Sequence, residues 1–183
     1  MNKGLITTTD ALKSAAEVER VKKVLRDDPR GFALFVTAIN VALRASDLLK
    51  LKRSDLKGSE LFIREKKTKK LRRIHLNKPT LDAINTYLAT RTDSMDLLFR
   101  GQRGRMYHGH FGAMIKTWFK KAGIPDGRWA THSLRKTFTR VNYERGVPLA
   151  TLAVILNHSS ERQVLTYCGI TGDDVKKVYA RAI

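Results

Sequence analysis

Four short segments of this sequence carry side chains whose types and spacing suit the handling of a phosphate. Arg44 follows directly on the most apolar stretch, in Val41-Ala42-Leu43-Arg44-Ala45-Ser46-Asp47-Leu48-Leu49. An arginine at the end of a core helix is costly unless an anion or a carboxylate meets it. Either it forms a helix-terminal ion pair, with Asp47 as a candidate partner, or its planar guanidinium clamps two phosphoryl oxygens at once. His132-Ser133-Leu134-Arg135 opens a later helical stretch. Spacing of i and i+3 puts imidazole and guanidinium on one face, near a positive helix end suited to an anion. Alone, that pattern also describes an ordinary surface pair. His158, in Leu156-Asn157-His158-Ser159-Ser160, and Tyr167, in Val164-Leu165-Thr166-Tyr167-Cys168-Gly169, complete the polar candidates. Taken singly, Tyr167 reads as a packed core or interface tyrosine rather than a nucleophile.

A fifth feature is a basic run. Between Arg64 and Arg73, Arg64, Lys66, Lys67, Lys69, Lys70, Arg72 and Arg73 are basic and only Glu65 is acidic. Such density repels itself in the free protein and is relieved when phosphates displace condensed counterions. A charge run by itself is a solvated loop or a localisation signal. Here Leu61-Phe62-Ile63 and Ile74-His75-Leu76 flank it, which predicts an ordered β-ribbon that presents the charge to DNA.

The elements that must position these groups follow from composition and pattern. The chain has 183 residues, 36 Lys+Arg against 17 Asp+Glu and a formal charge of +19. Nucleic acid is the polyanionic partner this balance favours, ahead of an anionic membrane surface. Hydrophobic residues make up 42%, enough for a real core, so wholesale disorder is excluded. A single cysteine, Cys168, excludes an internal disulfide framework and a Cys-based zinc site. No signal-peptide pattern opens the sequence, and the longest apolar run, Phe32 to Leu43, is interrupted by Thr37 and Asn40 and too short to span a membrane. A soluble, cytoplasmic protein is expected, with residues 1–183 as one domain.

Thr7-Thr8-Thr9-Asp10 has the spacing of a capping box, with Val18, Val21 and Leu25 on one face of the helix it would open. Asp27-Asp28-Pro29-Arg30-Gly31 breaks that helix, and a second covers about Phe32 to Leu43. Ser46 is placed to cap a short third helix. After the hairpin, Pro79-Thr80 opens a helix through about Leu88, Leu97-Leu98-Phe99 suggests a short strand, and Gly101 to Arg105 a loop. From His110 on the pattern is helical, broken near Gly123, Gly146, Asn157 and Gly169. The fold class is mainly α with one small antiparallel β-sheet, an α+β arrangement.

In order, these pieces resemble the catalytic domain of the tyrosine recombinase (phage integrase) family. That family's series Arg, Lys, His-x-x-Arg, His, Tyr is met by Arg44, Lys67, His132, Arg135, His158 and Tyr167. Leu43 to Leu48 matches its Leu-Arg-x-Ser-(Glu/Asp)-Leu core, Lys67-Thr68 its hairpin lysine, and His158 to Tyr167 its closing spacing. The likeness runs from about Thr7 to Arg181. Three positions depart from it: Asn157 and Ala42 stand where glycine is usual, and Lys136 where histidine is common. Typical members also carry a separate helical core-binding domain, which is not expected within this chain.

The resemblance implies that Tyr167 attacks a DNA phosphodiester and forms a 3′-phosphotyrosyl link. Arg44 and Arg135 would neutralise the non-bridging oxygens, with Asp47 orienting Arg44, and His132 and His158 would orient the phosphate and assist proton removal. Lys67 would protonate the 5′-oxygen. Arg64, Lys66, Lys69, Lys70, Arg72 and Arg73 would hold the DNA backbone. No cofactor and no metal is expected, and double-stranded DNA is the expected partner. A homotetramer on DNA, with Thr171 to Arg181 docking on a neighbouring protomer, and accessory DNA-bending factors also follow from the resemblance. A type IB topoisomerase and a non-catalytic DNA-binding regulator remain as alternatives.

Overall fold

The computed structural model describes residues 9–65, 70–169, 176, 179 and 180. Among them are eight helices: α1 (Ala15–Val24), α2 (Pro29–Val41), α3 (Ala45–Leu48), α4 (Lys78–Ala89), α5 (His108–Lys121), α6 (Thr131–Glu144), α7 (Leu149–Leu156) and α8 (Glu161–Cys168). Strands β1 (Leu56–Lys57), β2 (Glu60–Arg64) and β3 (Leu71–His75) form an antiparallel sheet in that order. A second, two-stranded ribbon pairs β4 (Arg100–Gly101) with β5 (Gly104–Arg105). The mainly α fold with a small antiparallel sheet is as expected, and the β4–β5 ribbon adds a second. No helix among the described residues is long and apolar enough to cross a membrane.

Local chemistry sets the boundaries. α1 opens at Ser14, whose hydroxyl accepts from Glu17 N–H, while Glu17 Oε2 accepts from Lys13 N–H. α1 therefore starts several residues later than a capping box at Thr7 to Asp10 would place it. Thr7 and Thr8 lie outside the described residues, and Asp10 instead exchanges hydrogen bonds with Arg128, its own N–H donating at 3.2 Å and its carboxylate accepting at 2.7 Å. α2 begins with Pro29 in the first turn, under an Asp28 cap to Gly31 N–H at 2.9 Å. Arg44, not Ser46, occupies the cap position of α3. Gly101 to Arg105 is a tight hairpin rather than an open loop, and Leu97 makes only an isolated bridge to Lys52.

The main core gathers α1, α2, α4, α5 and the inner face of the sheet around Phe35, Phe99, Phe111 and Phe119, all fully buried. Phe35 meets Trp118 edge-on at 6.3 Å. A second, smaller cluster holds Ala42, Leu152, Leu156, Val164 and Cys168, with Phe138, Val147, Leu149 and Ala153 against it. α6 runs between them and is unusual in burying polar residues: Thr131, Ser133, Arg135, Lys136, Thr137 and Thr139. Thr137 and Thr139 donate their hydroxyls to the carbonyls of Ser133 and Arg135, so no buried hydroxyl of that pair is left without an acceptor.

In the sheet, Leu61 faces Ile74 and Arg64 faces Leu71. β1 pairs only with Glu60 and Leu61, so the outer part of the hairpin is a two-stranded ribbon. Along β2 burial alternates: Leu61 and Ile63 point inward, Phe62 and Arg64 outward. The next inward residue is Glu65.

Candidate active site

Arg135 stands at the centre of the site. It lies on the first turns of α6 and is 2% exposed. Its Nη1 donates to the Ala42 carbonyl at 2.6 Å and its Nη2 to the Leu156 carbonyl. Both acceptors terminate helices, α2 and α7, where carbonyls lack intrahelical donors and the dipole favours a cation. Ala42 reaches this position in left-handed backbone, φ 51°. Burial first, and the positive charge of Arg44 next, push Arg135 down to about 10, a value at which the guanidinium is still charged at neutral pH.

Tyr167 on α8 lies under Arg135. The Arg135 guanidinium carbon is 6.0 Å from its ring centroid and the Lys136 ammonium 5.9 Å. Lys136, flagged in the sequence only as a departure, is buried and donates to the Thr9 carbonyl at 2.6 Å. The His158 imidazole meets the Tyr167 ring edge-on at 4.8 Å. α8 is fixed at its far end by Gly169 in left-handed backbone and by Arg140 Nη1 on the Gly169 carbonyl at 3.4 Å.

Arg44 approaches from the α2–α3 junction. A buried carboxylate, Glu65, meets it with Oε2 at 3.3 Å. Glu65 is 1% exposed and also accepts from Arg72 Nη1 at 2.8 Å and Asn157 Nδ2 at 2.8 Å. Arg72 is thus turned inward onto Glu65, while Arg73 lies outside over Phe62 and pairs with Glu60. Arg64 and Lys70 are exposed. Lys66, Lys67 and Lys69 lie outside the described residues, as do Thr171 to Val175 and Arg181.

His132 is half-buried at the α6 N-terminus, one residue after Thr131, whose hydroxyl is 2.9 Å from His108 Nε2. Burial, then the charges of Arg135, His108 and Arg44, holds its imidazole below the ordinary value of 6.5. It is therefore neutral at pH 7 and free to exchange a proton. Between the depressed value and 6.5 the unfolded chain binds more protons than the folded one, so this residue's contribution makes stability rise with pH across that window. In urea titrations between pH 5 and 7, His132→Asn should flatten that slope; an unchanged slope would assign it to other groups.

The structure therefore brings Arg44, His132, Arg135, His158 and Tyr167 to one basic, partly buried surface. Such an array can bind a phosphodiester through fixed guanidinium groups while a phenol stands beside a base.

A family model described as the phage integrase family matches residues 14–171. The probable integrase/recombinase YoeC of Bacillus subtilis is 32% identical over 172 residues, 92% of this chain and 93% of that protein. Tyrosine recombinase XerA of Pyrococcus furiosus is 29% identical over 180 residues, which cover 93% of this chain but 62% of XerA. The chain thus spans about three fifths of the length of this longer relative. Among solved structures, a XerA recombinase crystal structure superposes with a TM-score of 0.80 at 23% identity, over 98% of this chain and 65% of that one. A lambda integrase dimer bound to a COC′ core site gives 0.73 at 17% identity, over 96% of this chain and 51% of that one.

Proposed function

The chain belongs to the phage integrase family, and from that premise we propose that it is a site-specific DNA recombinase that cuts and rejoins DNA through a 3′-phosphotyrosyl intermediate. The observation that carries the reading is the packing of Tyr167 against both His158, at 4.8 Å, and the buried Arg135, at 6.0 Å. A nucleophile, a base and a fixed cation then share one spot, the minimum that transesterification at phosphorus requires. Tyr167 attacks the phosphorus, the 5′-oxygen leaves, and the bond energy is kept in the phosphotyrosyl ester until a 5′-hydroxyl attacks in return. Arg44 and Arg135 hold the non-bridging oxygens as charge builds on them. Neutral His132, together with His158, orients the phosphate and takes the Tyr167 proton, and Lys67 protonates the departing 5′-oxygen.

Double-stranded DNA is the substrate, held along its backbone by Arg64, Lys66, Lys69, Lys70 and Arg73, with Arg72 shared between DNA and Glu65. Relatives that are recombinases favour this reading over a topoisomerase or a non-catalytic regulator. A homotetramer on DNA is part of the proposal, with Thr171 to Arg181 docking on the neighbouring protomer and DNA-bending accessory factors aiding assembly. In support, Tyr179 is 86% exposed, and Val154 at 80% leaves apolar surface on α7.

With a nicked suicide substrate, a covalent protein–DNA adduct should accumulate, and at the same rate in excess EDTA, because guanidinium groups carry the charge that a metal carries in other phosphoryl-transfer sites. The absence of an adduct would leave a DNA-binding regulator. Cleavage lost on chelation and restored by magnesium would leave a metallonuclease.

A further inference from the structure

Glu65 is a buried carboxylate among cations, and the chemistry above does not use it. It follows β2 directly and lies two residues along the chain from Lys67. Its N–H donates to the Lys70 carbonyl at 3.0 Å, extending the ladder one step beyond Arg64 and Leu71. Among the described residues its carboxylate contacts Arg72 within the hairpin and, across to the helical body, Arg44 and Asn157. Those two partners sit in the turns that present Arg44 and His158.

The hairpin needs such a tie. Beyond Leu61 the third strand is gone, and a two-stranded ribbon is marginal by itself in water. Asn157 is suited to supply it. It closes α7 in left-handed backbone, φ 50° and ψ 51°, with its own N–H on the Val154 carbonyl and the His158 N–H on the Ala153 carbonyl. Glycine meets this conformation without a Cβ penalty, and asparagine is the side chain that tolerates it next best. What asparagine adds is the amide, and the amide is spent on Glu65 at 2.8 Å.

We infer that Asn157 and Glu65 form a latch that holds the Lys67 hairpin against the helical body, and that both are positioning residues for proton delivery to the leaving oxygen. The inference rests on the reading that Lys67 is the general acid. A donor must come within hydrogen-bond reach of its oxygen, and misplacement by about 1 Å is enough to slow transfer by up to about 100-fold.

The test compares single-turnover cleavage of ordinary DNA with DNA carrying sulfur at the 5′-bridging position, whose thiolate leaves without a proton. Asn157→Gly should cut ordinary DNA about 10-fold slower, and the sulfur substrate at close to the wild-type rate. Its thermal midpoint should fall only modestly, since glycine's ease in this backbone offsets part of the hydrogen bond lost to the buried Glu65 carboxylate. Asn157→Asp, which presents acceptors to Glu65 in place of a donor, should be slower still on ordinary DNA and likewise restored by sulfur. A wild-type rate for Asn157→Gly on ordinary DNA, or a deficit that sulfur leaves in place, would overturn the latch. Lys67→Ala distinguishes the premise: restored by sulfur, it upholds Lys67 as the acid whatever Asn157 does, and unrestored, it removes the acid and the latch together.

Discussion

Tyr167→Phe should abolish the covalent protein–DNA adduct and leave affinity for DNA within about twofold of wild type. The substitution removes one oxygen from a half-buried ring. Its packing against His158 and beneath Arg135 uses the ring face and edge, which phenylalanine keeps. Affinity is driven by counterion release from a chain of net charge +19, which the change does not touch. Adduct is read by gel on a nicked substrate, and affinity by titration at fixed salt. An adduct that survives, or that maps to the exposed Tyr179, would move the nucleophile elsewhere.

Arg135→Ala carries the second large effect, and it acts on two quantities at once. Loss of one preorganised donor to a charged oxygen typically slows a reaction about 100- to 1,000-fold. Cleavage should fall by at least that much, on ordinary and bridging-sulfur DNA alike, because charge stabilisation is not proton delivery. Stability should fall as well, by about 1–3 kcal/mol for each buried acceptor left without a donor. The acceptors are the Ala42 and Leu156 carbonyls, which close α2 and α7. Arg135→Lys reaches at most one of them and should recover part of the stability and little of the rate. Chemical denaturation and single-turnover cleavage separate the two losses. A variant that is stable yet inactive would confine Arg135 to the chemistry, and one that is unstable yet active would confine it to the fold.

The helices were legible where apolar periodicity and Gly/Pro breaks agree, as in α2, α4 and α8. Arg44 announced itself by its place after an apolar run. Glu65 did not, because an acid inside a basic run reads as a solvated counter-charge. The signal that finds it is the strand's period of two: Leu61, Ile63 and Glu65 share the inward face. Its pairing with Asn157 spans 92 positions and arises from tertiary packing alone. The start of α1 was misplaced because two Ser/Thr-led candidates compete, and Ser14-Ala15-Ala16-Glu17 satisfies its own cap while Asp10 serves the distant Arg128 loop. α6 defeats composition differently. Its average is polar, yet its buried face is built of hydroxyls that hydrogen-bond back onto the helix, so hydrophobic counting undervalues the element that carries His132 and Arg135.

The division of apolar packing into a large cluster and a small one bears on how the nucleophile moves. Tyr167 rides on α8, anchored through Val164 and Cys168 in the cluster that holds far fewer side chains, whereas Leu43 beside Arg44 and Leu134 beside Arg135 are anchored in the large one. Opening free energies scale with the surface a segment buries, so amide exchange in α7 and α8 is expected to be faster than in α2 or α4. Arg135 joins the two clusters, with one nitrogen on the Ala42 carbonyl and the other on the Leu156 carbonyl, so local opening of α7 would take away one of its two anchors along with the helix that leads to Tyr167.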